Sequence, residues 1–124
     1  MELEAFWQAC LARPGTTTDL PFGPEVRVFR VLGKIFAFAS PGEAPARVSL
    51  KCDPEWSFVL RETYAAVTPG YHLNKTWWNT IVLDGSVPDH ELVALLERSY
   101  ALVVAKLKKA EREQLAGGAR AAGP

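Results

Sequence analysis

Leu3, Phe6, Trp7, Cys10 and Leu11 fall at i, i+3, i+4, i+7 and i+8. That spacing lines one face of an α-helix and predicts a helix over residues 2–13. Pro14-Gly15 ends it, because proline cannot continue the hydrogen-bond ladder and glycine reverses the backbone at low cost. Residues 16–25 (TTTDLPFGPE) read as a loop, with Phe22 folded back as an anchor. Residues 26–31 and 34–39 are rich in β-branched and aromatic side chains, and only Leu32-Gly33 separates them. Two such runs across a short turn containing glycine predict a hairpin. Residues 47–51 then alternate: Val48 and Leu50 point inward, while Arg47, Ser49 and Lys51 form a polar outer face.

Asp53-Pro54-Glu55 predicts a helix start, with Asp53 as the cap and Pro54 in the first turn. Trp56, Val59, Leu60 and Thr63 would form the inner face of this helix. A fourth strand is expected over residues 77–83, whose faces stay unassigned because both alternating sets contain large side chains. Ser86-Val87-Pro88-Asp89 resembles a capping box and opens a helix of about 20 residues. Its inner stripe is Leu92, Leu95, Leu96, Ser99, Val103 and Leu107, with Lys106, Lys108 and Lys109 at the end where positive charge is favoured. The Gly/Ala-rich end from Gly117-Gly118 to Pro124 reads as frayed. These elements define an α+β fold in the order α-β-β-β-α-β-α, an antiparallel four-stranded sheet with helices packed on one side. One domain covers residues 1–112, and residues 113–124 form a flexible tail.

Composition narrows the class. With 124 residues, 48% apolar and 23% charged, the chain resembles an ordinary globular domain with its own core, not a disordered one. No apolar run is long enough for a membrane helix. Glu2 and Glu4 stand where a secretory signal would be basic. The expectation is therefore a cytoplasmic protein with no membrane partner. Cys10 and Cys52 both fall in apolar stretches and read as buried small hydrophobes. Net charge is zero, but residues 1–25 carry −3, residues 26–83 carry +3 and the remainder balances. The middle segment suits an anionic partner without requiring one.

Chemical signatures are sparse. The phosphate-loop, dinucleotide, nucleophile-elbow and zincin motifs are all missing from the sequence. His72 and His90 lack ligand partners at metal spacing, and Asp89 and Glu91 suit a helix N-terminus. The expectation is a non-enzymatic protein with no cofactor, no metal and no catalytic residue. One segment stands apart: residues 70–80 hold an imidazole, two amides, an ammonium, two hydroxyls besides tyrosine and three aromatic rings. Rings beside hydrogen-bond donors suit a base, a phosphate or a planar ligand. Taken singly, Tyr71, Trp77 and Trp78 read as core or rim packing. His72, Asn74, Lys75 and Asn79 read together as a site, because polar groups this dense are costly to order without a task.

Several stretches resemble the MmcQ/YjbR-like family of small bacterial proteins. They are residues 22–25 (FGPE), 48–54 (VSLKCDP), 68–75 (TPGYHLNK), Trp78-Asn79-Thr80, Asp84-Gly85-Ser86, Ser99-Tyr100 and residues 103–107 (VVAKL). The resemblance implies a CyaY/frataxin-like fold and a DNA-binding role of the "double wing" type. Trp77 stands where that family usually has histidine, and Leu73 where it usually has methionine. Two functional readings follow. In the first, a nucleic-acid-binding module, Arg27, Arg30, Lys34, Arg47, Lys51 and Lys75 meet phosphates, and His72, Asn74, Trp78 and Asn79 lie near bases. In the second, the aromatic and polar patch takes a small ligand or a protein partner. Both require Lys51, His72, Lys75 and Asn79 to converge on one exposed face.

Overall fold

The structure is a computed structural model that describes residues 1–42 and 44–122. A helix, α1 (Leu3–Leu11), precedes four strands: β1 (Thr16–Asp19), β2 (Arg27–Val31), β3 (Lys34–Ser40) and β4 (Arg47–Lys51). Then come α2 (Pro54–Thr63), β5 (Val67–Pro69), β6 (Trp78–Val82), α3 (Asp89–Val104) and α4 (Lys109–Ala122). The sheet order is β1-β2-β3-β4-β6-β5, and every neighbouring pair is antiparallel. The fold class is α+β as expected, but the sheet has six strands, not four. Both additional strands lie at its edges. β1 is polar and flanked by Pro14-Gly15 and Pro21, and β5 is three residues long, so neither carries a hydrophobic period.

The β2–β3 hairpin turns on Leu32 and Gly33 at φ +46 and +86, with Val31 paired to Lys34. This is the turn whose twist matches the strands it joins. Two residues later the register shifts: Arg30 pairs with Ile35 and Phe29 with Ala37, leaving Phe36 bulged. The bulge turns both Phe36 and Ala37 into the core. Phe36 and Ala37 meet Phe6, Phe29, Leu50, Ile81, Leu92 and Leu96 there. Trp7 and Phe6 meet Phe29 edge-on, and Arg27 lies over the Trp7 ring at 4.1 Å.

Where the bulge interrupts direct pairing, Ser99 of α3 bridges the strands. The Lys51 N–H donates to Ser99 Oγ at 2.8 Å, and Ser99 Oγ donates to the Phe36 carbonyl at 2.6 Å. Ser99 is completely buried.

Other expectations are corrected. Asp53 occupies the cap position of α2 but makes no cap bond. Its carboxylate accepts from Arg98 Nε and Nη2 at 2.7 and 2.8 Å, which holds it below the usual carboxylate range. The inner side of α2 is Ser57 and Leu60; Val59 is exposed, and so is Thr63. Phe22 is 67% exposed and anchors nothing. Ser86 does not cap α3; its N–H and Oγ both donate to Asp84.

The expected 20-residue helix is divided at Ala105–Leu107. The Glu111 carboxylate accepts from the Lys108 N–H to start α4, while Leu107 turns inward. The stretch 113–122, read as a flexible tail, is helical, and Leu115 packs on the core beside Leu32. Gly15, at φ +72, leaves room for it, since a Cβ there would collide with Leu115. Residues 123 and 124, part of the same expectation, lie outside the described residues.

A candidate anion-binding cleft

The polar groups of residues 70–80 mostly hold their own segment together. Asn74 Oδ1 accepts from the N–H groups of Thr76 and Trp77, and Lys75 Nζ donates to the Gly70 carbonyl at 2.9 Å. Thr80 Oγ1 accepts from the Tyr71 N–H and shares a hydrogen bond with Ser49 Oγ. Ser49, expected on a polar outer face, is therefore buried in that pair. Asn79 is 2% exposed. Its Oδ1 accepts from Arg61 Nε at 2.8 Å and its Nδ2 donates to Ser57 Oγ at 3.0 Å. Because guanidinium only donates, this amide orientation is the one that satisfies all three groups. Arg61 Nη2 also donates to the Lys75 carbonyl at 2.6 Å, so one side chain of α2 clamps the loop.

Gly70 permits the fold-back. A Cβ there would lie 2.8 Å from Trp78 Cβ and 3.1 Å from Trp78 O. Gly70→Ala is expected to lose about 1–3 kcal/mol through this clash, measured by urea unfolding. Unchanged stability would show that the loop is not held against Trp78.

The expected site therefore does not assemble. Asn79 faces inward, Asn74 is spent on its turn, and Trp78 meets Phe38 edge-on at 5.4 Å. His72 sits at φ +58 on the exposed surface with its ring against Tyr71. Arg47 pairs with Val82 at the opposite end of β4 from Lys51, which pairs with Trp78. The four residues required on one exposed face do not converge there.

Lys51 converges on something else. At its end of the sheet, a cleft of about 390 Å³ is lined by Lys34, Ile35, Lys51, Val103, Lys106 and Leu107. The antiparallel β3–β4 pairing brings the start of β3 beside the end of β4, and the break after α3 puts Lys106 above them. The Cys52 N–H donates to the Trp77 carbonyl, fixing Trp77 next to β4. Lys51 Nζ and Lys106 Nζ lie 5.9 and 6.0 Å from the Trp77 ring centroid. Among the described residues, none of the three cleft lysines forms an ion pair. Burial, with Lys106 adding to it, holds the Lys51 ammonium below its ordinary pKa.

Sequence reasoning placed Lys34 with hairpin phosphates, Lys106 with the helix dipole and Trp77 with packing. No local motif joins residues 34, 51, 77 and 106; Trp77's departure from the family histidine was the one signal.

Among the described residues there is no cluster of three His, Cys, Asp or Glu able to hold a metal. Both cysteines are free and buried, and burial pushes the Cys10 thiol to about 12. No helix among the described residues is long and apolar enough to cross a membrane.

An antiparallel α+β domain with a lysine-lined cleft at one end of its sheet is thus the class that the structure defines. The YjbR family model matches residues 11–102, and the chain belongs to that family. It is 34% identical over 115 residues to the uncharacterized protein YjbR of Escherichia coli K12, covering 93% of this chain and 98% of that one. The uncharacterized protein YyaQ of Bacillus subtilis is 42% identical over 55 residues, covering 44% of this chain and 46% of that one. Among solved structures, the Deinococcus radiodurans protein DR2400, a DUF419 domain, is 40% identical with a TM-score of 0.87. That match covers 93% of this chain and 88% of the other. A Pseudomonas syringae protein is 28% identical with a TM-score of 0.72, covering 82% and 98%.

Proposed function

We propose that this protein is a non-enzymatic nucleic-acid-binding module that meets phosphate at the Lys34–Lys51–Lys106 cleft. One observation carries the reading: three lysines from separate elements line one concavity, and among the described residues none of them is ion-paired to a carboxylate. Positive charge gathered at one cleft concentrates anions even when net charge is zero. Trp77, 36% exposed at the rim, supplies a ring of the kind on which bases stack. The DNA-binding role implied by the family resemblance points the same way. The CyaY-like and "double wing" descriptions belong to this proposal, as does a cytoplasmic setting.

Each phosphate contact releases counterions, so three contacts should weaken binding by about 20- to 40-fold between 50 and 200 mM salt. Fluorescence anisotropy with labelled single- and double-stranded DNA tests this. The double variant Lys51→Gln, Lys106→Gln should flatten the salt dependence. No binding at low salt would end the proposal.

A second reading, a small ligand or protein partner, rests on the Tyr71–His72 tip. Tyr71 is 64% exposed, and His72 is held in the left-handed region that costs a non-glycine residue strain.

A further inference from the structure

The cleft lysines are arranged in a way that constrains what kind of phosphate they take. A nucleic-acid strand offers one charge per phosphate, spaced along its length, and cations that follow it form a track. Lys34, Lys51 and Lys106 instead line one concavity. Lys51 and Lys106 flank the same indole at about 6 Å, although like charges repel. Clustered cations suit an anion carrying more than one charge on a single group. A phosphomonoester does so at neutral pH, where it carries nearly two charges on three acceptor oxygens, while an internal phosphodiester carries one. The volume of about 390 Å³ lies in the range of small-ligand sites. Ile35, Val103 and Leu107 supply apolar walls beside the ammonium groups.

Resting on the cleft assignment above, we propose that the cleft is a receptor for a terminal phosphate, the phosphomonoester end of a nucleotide or of a nucleic-acid strand. The dianion would sit among the three ammonium groups, and the attached sugar and base would lie against the apolar wall and the Trp77 rim. Binding would relieve the Lys51–Lys106 repulsion that helps to hold the Lys51 ammonium below its ordinary pKa.

The test compares one short single strand in three forms, bearing a 5′-phosphate, a 3′-phosphate or only hydroxyl ends, by anisotropy. Inorganic phosphate and adenosine monophosphate serve as competitors. One phosphorylated form should bind about tenfold or more tightly than the hydroxyl form, because its charge-assisted contacts are stronger. Both competitors should displace it, and Lys51→Gln or Lys106→Gln should erase the difference between forms while leaving thermal unfolding unchanged. Adenosine monophosphate binding without strand binding would support the terminal-phosphate site, assign it to free nucleotides and end the nucleic-acid reading. Equal affinity for all three strands would overturn the terminal-phosphate site and leave backbone binding intact. Failure of every strand and both competitors would overturn both.

Discussion

Asn79→Ala is expected to lower stability by about 3–4 kcal/mol, among the largest single-residue losses in the fold. Asn79 is buried at the point where β6 meets α2, and its amide serves two partners that have few alternatives. Truncation strands the buried Ser57 hydroxyl and removes the acceptor from Arg61 Nε. Each loss carries a desolvation penalty of roughly 1–3 kcal/mol, and the space vacated adds a cavity cost. The effect should extend to the loop, because Arg61 also holds the Lys75 and Trp78 carbonyls. Urea unfolding measures the loss, and amide exchange of residues 74–78 should rise with it. Asn79→Asp keeps an acceptor for Arg61 and lets Ser57 donate, so it should be milder than alanine. Equal losses for the two variants would show that the Nδ2 donor to Ser57, which both lack, sets the effect, and not packing or the acceptor for Arg61.

Ser99→Ala should cost about 2–4 kcal/mol, although it removes one oxygen atom. That oxygen joins the Lys51 N–H to the Phe36 carbonyl at a bulge where these backbone groups do not pair directly. Alanine would leave both unsatisfied beneath α3, where Ser99 is fully buried. For a domain of this size the midpoint should fall by roughly 10 °C or more. Ser99→Gly, which leaves space for a water to bridge the two groups, should recover part of the hydrogen-bonding loss but not the helix propensity. A midpoint unchanged in Ser99→Ala would mean that the bridge contributes nothing to stability. Lys51 belongs to the cleft, so the same variant offers a check on how firmly that end of β4 is held.

Local patterns revealed the elements that bury a periodic apolar face. α1, the β2–β3 hairpin, β4 and the inner stripe of α3 are all visible as spacings of hydrophobic residues. Elements that lack such a face were hidden: β1 is built of threonines, and β5 has one buried residue. The inner face of α2 was misassigned because buried Ser57 looks polar, while Val59 looks apolar but faces water. The segment at residues 70–80 was recognised as unusual, but its density of polar groups reflects internal wiring. Asn79 finds its partners 18 and 22 residues away, and no spacing rule indicates that. The cleft was harder still. Its lysines come from the start of β3, the end of β4 and the break after α3, and the antiparallel register and the kink after α3 bring them together.

The two edge strands have a consequence for how the folded protein meets its neighbours in a crowded solution. A free sheet edge offers unpaired N–H and C=O groups on which a foreign strand can grow. Here the strands with the strongest appetite for pairing, β3 and β4, lie in the interior of the sheet. One edge is β5, a three-residue strand whose Pro69 has no N–H to donate. The other is β1, four polar residues ending in Asp19, which is ion-paired to Arg30. Short, polar or proline-bearing borders resist templated growth, so a protein of zero net charge, which repels its own copies weakly, is guarded against aggregation by its sheet edges.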